Sequence, residues 1–385
     1  FCAIFCIRCE MFQIFNDFKS PKEFLQEPYK NTLQGDFSKS NLLIFDDNLN
    51  AMQFLLQEKA YKNALDLIYI DPPFATNNTF RMGSTISASL SANVAYDDKF
   101  SLEAYLEFLY YRFILMREML SEKGSIYVHT DSKIGHYVKI VLDEIFGKER
   151  FINDITRIKC NPKNFAKKGY GNVKDSILFY SKGADFIWNE VSQKVSQSDL
   201  AKRFNKRDEK GAYTTIPLHA PGETKNGESG QEWNGLKPPK GRHWRCALSE
   251  LDSLQKEGLI EWSKNGNPRK KIYAKDYGYK KIQDIWEFKD SQKVLYPTQK
   301  NTALLRQILL MSSNENSLVM DCFCGGGGFL QEAYCLKRKF IGIDSSAEAV
   351  QINKKWITQN NCECFIAEKQ KKYIRNIKAL NQKVV

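Results

Sequence analysis

Apolar and polar positions along the chain alternate with two different periods, and the switches between them mark its elements. From Asn41 to Phe74 the pattern predicts a strand at Leu42–Phe45, a helix over Asn48–Glu58 and a strand at Leu65–Ile70. The last run, Leu-Asp-Leu-Ile-Tyr-Ile, is nearly all apolar and rich in β-branched residues, as in a parallel strand buried on both faces. A polar, small-residue stretch from Ala75 to Phe100 follows. Inside a compact domain so long a connection reads as a lid or a disordered loop.

Helical spacing returns over Ser101–Leu120, with Ser101 placed to cap it; then come a strand at Gly124–His129 and a helix from Ser132 to Phe146, stopped by Gly147. After a long interruption the same alternation resumes. It predicts a helix over Thr302–Met311, a strand at Ser317–Cys322, a glycine loop, a helix to Lys337 and a strand at Lys339–Ile343. Strand and helix in alternation imply an α/β fold, a mostly parallel sheet with helices on its faces. Between Phe186 and Phe288 the alternation is lost and Pro221-Gly222, Pro238-Pro239 and Asn265-Gly266-Asn267-Pro268 mark turns, so this region reads as an inserted subdomain. The chain then divides into an N-terminal extension (1–40), a first half-domain (41–185), the insert (186–288), a second half-domain (289–366) and a basic C-terminal helix (367–385).

Composition narrows the partners. Against 45 Asp and Glu stand 57 Lys and Arg, a formal charge of +12 that suits a polyanion. Ten cysteines are scattered irregularly over 385 residues, which excludes a small disulfide scaffold and favours reduced, buried thiols in a cytoplasmic protein. With four histidines, and with neither of the close pairs Cys322/Cys324 and Cys362/Cys364 at Cys-x-x-Cys spacing, no metal site is expected. The apolar, Cys-rich stretch Phe1–Glu10 is too short to span a bilayer, and Met11 reads as a start.

Two constellations carry chemistry. In the first, the strand ending at Asp321 runs into Cys322-Phe323-Cys324-Gly325-Gly326-Gly327-Gly328, and Asp344 closes the next strand. Such a loop lets a ligand approach the backbone, and the second acid can bind ribose hydroxyls. A dinucleotide site wants a further glycine where Leu330 stands, so S-adenosylmethionine, with a ribose but no pyrophosphate, fits better. Asp321 could then meet its ammonium.

In the second, Asp71-Pro72-Pro73-Phe74 follows the strand Leu65–Ile70, at the end of the sheet where ligands bind. The prolines fix the backbone. Asp71 and the Pro72 carbonyl are matched acceptors for the two N–H groups of an aromatic amine such as adenine, and Phe74 can stack on the ring. A base inside a duplex cannot reach such a pocket, so it must be flipped out.

These residues resemble the β-class amino-methyltransferases of bacterial restriction-modification systems, in which the catalytic tetrapeptide comes first, the target-recognition region next and the cofactor loop last. The resemblance runs from about Leu42 to Trp356 and includes Leu67–Phe74, Gly124–Asp131, Leu142–Gly147 and Tyr296-Pro297-Thr298-Gln299-Lys300. It implies a Rossmann-like methyltransferase fold with an inserted target-recognition region. It adds Thr298, Lys300 and Asp47 to Asp321, Phe323, Gly325, Gly327 and Asp344 as cofactor-site candidates. Asp heading the tetrapeptide is typical of adenine N6 enzymes, with cytosine N4 transfer and an inactive DNA-binding relic or specificity partner as the alternatives. Double-stranded DNA is the implied substrate, and a companion restriction endonuclease and a homodimer are the implied associations.

The family's loop reads Asp-Pro-Phe-x-Gly-Ser-Gly-Thr-Thr; here Cys322 replaces Pro, Gly326 replaces Ser, and Gly328-Phe329 replace the threonines. In the insert, Trp188, Trp233, Trp244, Trp262 and Trp286 are interleaved with basic clusters. Arg242, Trp244, Arg245, Arg269, Lys270 and Lys271 are therefore the candidate DNA-binding residues, with the subdomain's own small core as the alternative place for any single tryptophan. His129 shows no carboxylate partner in the sequence and reads as structural.

Overall fold

The apolar runs become the middle of one sheet. The computed structural model describes residues 17–27, 41–57, 59–73, 79–81, 94–97, 101–162, 168–290 and 300–368. They fall into two compact units, the smaller being Val191–Ile282 and the larger the chain on either side of it. Phe186–Glu190 and the strand at Ile285–Glu287 thus belong to the larger unit.

In the larger unit the sheet strands are β1 (Asn41–Phe45), β2 (Leu65–Ile70), β3 (Leu120–Thr130), β4 (Phe151–Ile158), β5 (Lys174–Ser181), β6 (Ile285–Glu287), β7 (Leu318–Asp321), β8 (Lys339–Asp344) and β9 (Cys364–Glu368). Their order is β6-β4-β5-β3-β2-β7-β8-β1-β9. Every pairing is parallel except the two made by β5. A short helix at Pro21–Leu25 precedes the sheet, and the longer helices among the described residues of this unit are α1 (Asn48–Gln57), α2 (Leu102–Met119), α3 (Gly135–Phe146), α4 (Thr302–Ser312), α5 (Gly328–Cys335) and α6 (Ala347–Gln359).

Strand alternation shows that both faces are covered. Ile68 and Ile70 join a core with residues of α1, α2 and α3, while Leu67 and Tyr69, which point the other way, are equally buried. On that second face the Tyr127 hydroxyl meets Ser312 of α4 at 2.8 Å.

Two elements differ from the sequence expectation. The helix expected from Ser132 starts at Gly135, because Asp131 Oδ1 accepts the N–H groups of Lys133 and Ile134 and holds a turn ahead of it. Within Ala75–Phe100, Thr79–Arg81 pairs antiparallel with Val94–Asp97, and the rest lies outside the described residues. Phe1–Glu10, Met11 and Lys369–Lys383 also lie outside them. No described helix is long and apolar enough to cross a membrane.

The smaller unit holds a four-stranded antiparallel sheet in the order Ile260–Trp262, Pro268–Tyr273, Gly211–Pro217, Lys206–Asp208. Its core is Leu218, Trp233, Trp244, Leu251 and Leu254. Trp244 is 1% exposed and its Nε1 donates to the Gln231 carbonyl at 2.9 Å. Of the two places the sequence allows this ring, the subdomain's own core is the one it takes, and Trp244 leaves the DNA-facing candidates. At the end of the short strand Arg242–Trp244 its ring packs into that core, while the charged Arg242 and Arg245 are exposed.

Trp244→Ala is expected to destabilise this unit by about 3–5 kcal/mol, the usual loss on emptying a buried Trp site. Trp244→Phe should keep most of the stability and all of the DNA affinity. Denaturant unfolding followed by circular dichroism, with a DNA titration of the Phe variant, checks both.

Candidate active site

Parallel strands bring their carboxyl ends to one edge. β2, β7, β8 and β1 are neighbours in that order, and Asp321 pairs with Gly342 while Asp344 pairs with Phe45. Asp71, Asp321, Asp344 and Asp47 each stand at or just beyond the end of one of these strands. The fold therefore gathers four acids that are far apart in sequence.

The glycine loop is held by two of its neighbours. Asp344 Oδ2 accepts the Gly325 N–H at 2.8 Å and Oδ1 accepts that of Ser346 at 2.8 Å. Asn353 of α6 donates from Nδ2 to the Gly325 carbonyl at 2.8 Å. Gly327 has φ +78°, and a Cβ there would lie 1.8 Å from Asn353 Oδ1, so only glycine closes the turn. Asp321 Oδ1 accepts the Phe323 N–H at 2.9 Å. Burial pushes the Asp321 carboxyl well above its usual range, and the nearby charges of Asp71 and Asp344 push it further. Burial raises Asp344 as well. Acids raised in this way suit a cationic group, such as the ammonium of an amino-acid-like ligand.

Asp47 belongs to a cluster that the sequence did not disclose. Its Oδ1 caps α1 through the N–H groups of Leu49 and Asn50, and its Oδ2 receives Arg112 Nη2 at 2.9 Å. The buried Arg112 also donates to Asn48 Oδ1 at 2.5 Å and to the Phe108 carbonyl at 3.0 Å, with its guanidinium 3.5 Å above the Phe108 ring. Asn48 in turn donates to the Cys322 carbonyl at 2.8 Å. One arginine from the middle of α2 thus ties Asp47 to the start of the glycine loop. Arg112 sits in an ordinary helical stripe, where no motif marks it.

Cys322 and Cys324 are buried thiols, as expected. Phe329, the residue in place of a threonine, is 1% exposed and stacks on Tyr69 at 5.4 Å with the rings 20° apart.

On the tetrapeptide side, Lys300 Nζ lies 2.6 Å from Asp71 Oδ2. Asp71 Oδ1 is shielded from solvent and has no hydrogen-bond partner among the described residues. Pro72 is buried and Pro73 half-buried; Phe74 and Thr298 lie outside the described residues. Next to this pair runs a buried polar network that corrects the view of His129 as lacking a carboxylate. His129 Nε2 is 3.2 Å from Asp175 Oδ2, and its Nδ1 is 3.0 Å from the Tyr69 hydroxyl. Burial, then the Lys300 charge, hold His129 below its ordinary value, so it is neutral at pH 7, donating from Nε2 and accepting at Nδ1. Burial alone would raise Asp175, but hydrogen bonds from His129 and Lys159 hold it far below the usual range. Arg157 completes the network through Asp175 and Asp290.

In the smaller unit the basic candidates separate. Lys271 pairs with Asp208 at 2.9 Å and Lys270 lies 3.8 Å from Glu250. Arg242, Arg245 and Arg269 instead gather around His219, and their charges, after burial, lower its pKa. Arg242 Nη1 is 3.1 Å from His219 Nδ1, Arg245 Nε donates to the His219 carbonyl at 3.2 Å, and Arg269 is anchored on Thr215. None of the three has a carboxylate partner among the described residues.

A family model described as DNA methylase matches residues 65–355. The type II methyltransferase M.EcaI of Enterobacter cloacae is 44% identical over 329 residues, covering 82% of this chain and 70% of the relative. The Mod subunit of the type III restriction-modification enzyme StyLTI of Salmonella typhimurium is 25% identical, over 80% of this chain and 52% of the relative. Among solved structures, the M1.HpyAVI–SAM complex aligns with TM-score 0.42 and 16% identity, covering 82% of this chain and 98% of that one. The PvuII DNA methyltransferase (cytosine-N4-specific) aligns with TM-score 0.42 and 14% identity over 86% and 95%. With most of its length matched by the family model, and with the tetrapeptide and glycine loop on adjacent strands of one sheet, the chain belongs to the N6/N4 family of DNA methylases.

Proposed function

We propose that the chain transfers a methyl group from S-adenosylmethionine to the N6 amine of an adenine flipped out of double-stranded DNA. The observation that carries this reading is Asp71: a carboxylate with one oxygen held by Lys300 and the other buried and open, at the carboxyl end of β2. S-adenosylmethionine supplies the methyl group on a sulfonium when bound. Asp321 is suited to its ammonium, Asp344 to ribose hydroxyls, and the loop of Gly325 and Gly327, with Phe323 and Asp47 beside it, to close backbone approach.

Asp71 accepts one amine N–H and the Pro72 carbonyl the other. Accepting both favours a pyramidal nitrogen with its lone pair free, and the carboxylate stabilises the positive charge that grows on that nitrogen. Asp rather than Ser at the head of the tetrapeptide supports adenine over cytosine. Digesting the methylated DNA to nucleosides tests this: N6-methyladenine is expected, and N4-methylcytosine would overturn it. Asp71→Ala should abolish transfer while cofactor affinity stays within about threefold, a difference of under 1 kcal/mol.

A cation bound beside Asp321 favours its ionised form, so binding expels the proton that the raised pKa retains. Cofactor affinity should therefore fall as pH drops through that pKa, and calorimetry in buffers of different ionisation enthalpy should show proton release. Asp321→Asn should lose both effects.

Recognition of DNA belongs, in this reading, to the smaller unit, where Arg242, Arg245 and Arg269 form a cationic cluster without carboxylate partners among the described residues. A companion nuclease fits the same system. Replacing Arg242 and Arg245 with Ala should weaken DNA binding across sequences and lower the slope of log K against log salt by about 1 for each phosphate that is no longer neutralised. An unchanged slope would remove these residues from the interface.

A further inference from the structure

The resemblance associates Lys300 with the cofactor, yet its ammonium is committed to Asp71 Oδ2 at 2.6 Å, with the two side chains only 12% and 16% exposed. A covered pair of this kind differs from a surface ion pair, because removing the cation leaves a carboxylate that water reaches poorly. The pair also has a geometric consequence. An aspartate carboxylate turns over a broad range about its last torsion and can present either oxygen. With Oδ2 held by Lys300, Oδ1 is the oxygen left to accept a further hydrogen bond, and it is the atom that is buried without a partner among the described residues. Buried acceptors left open are rare in native proteins, and one at the end of a strand beside the glycine loop is placed to be completed by a water or a ligand.

We propose that Lys300 is a positioning residue for methyl transfer: by holding Asp71 Oδ2 it fixes the carboxylate so that Oδ1 faces the target amine. The inference rests on the proposed role of Asp71 as acceptor for that amine. Charge supports the arrangement. A bare ammonium near the reacting nitrogen would oppose the positive charge that develops there, but its pairing with Oδ2 offsets that field. His129, which burial and the Lys300 charge keep neutral, adds no second cation. Its bond to Tyr69, two residues before Asp71 on the same strand, ties that strand end to the buried network.

The test uses the full chain carrying Lys300→Met or Lys300→Arg. Calorimetry gives S-adenosylmethionine affinity, single-turnover assays at saturating cofactor and DNA give the transfer rate, and 2-aminopurine fluorescence at the target position reports base extrusion. The Met variant should bind cofactor within about threefold of the parent, extrude the base normally and lose about 10- to 100-fold in transfer rate, the scale of a misplaced catalytic group. The Arg variant, which keeps a cation able to hold a carboxylate, should recover most of that rate. If the Met variant does not fold, Lys300→Gln, shorter and uncharged, carries the same comparison.

An unchanged rate overturns the proposal. So does a loss of cofactor affinity above about tenfold with the rate restored at saturation, which would make Lys300 a cofactor ligand. Asp71→Ala separates the two levels. If it turns over normally, the role of Asp71 fails and the inference with it; if it is inactive while Lys300→Met is fast, only the inference fails.

Discussion

The parallel pairing of β2, β7, β8 and β1 is the constraint from which the rest of the site follows. Parallel neighbours end on the same side, so four strands deliver Asp71, Asp321, Asp344 and Asp47 to one edge whatever their separation in sequence. The sheet can do this only if its centre is dry on both faces, and the near-continuous apolar runs of β2 and β8 meet that demand. Shifting one of these strands by a residue would turn its apolar side chains to the wrong face. The register that builds the core is therefore the register that places the acids.

Gathering acids in a dry place is unfavourable unless something answers them, and the four are answered differently. Asp47 receives Arg112 and helix N–H groups, and Asp71 receives Lys300. Asp344 is satisfied by backbone N–H groups but remains raised by burial. Asp321 has a single backbone N–H and is raised the most clearly of the set, with no cation among the causes. The position least answered by the protein is the one assigned to the positive end of the cofactor, so the electrostatic pattern and the proposed ligand are complementary.

What was legible in the sequence was local. Leu65–Ile70 and Lys339–Ile343 declare themselves because burial on both faces needs an unbroken apolar run, and the glycine loop because tight turns need glycine. Arg112, Asn353 and Asp175 were not legible: their partners lie 65, 28 and 46 residues away, brought close only by the completed sheet. The basic clusters of the smaller unit misled for the opposite reason. Arg242-His243-Trp244-Arg245 looks like one surface when written in a line, but the apolar Trp244 ring joined the core while the charged ends of Arg242 and Arg245 stayed in water.

The altered glycine loop gains a physical account from the same packing. Phe329 follows the first residue of α5 and is buried, so its side chain fills space beneath the loop instead of offering a hydroxyl to a ligand. Its ring stacks on Tyr69, whose hydroxyl holds His129, which bonds Asp175. The substitution thus exchanges a polar group at the loop for an apolar one that joins α5 to β2, just before Asp71. The glycine loop and the strand that leads to Asp71 then share one buried underlayer. The loop's backbone is held by the side chains of Asp344 and Asn353, whose bonds to Gly325 depend on neither threonine.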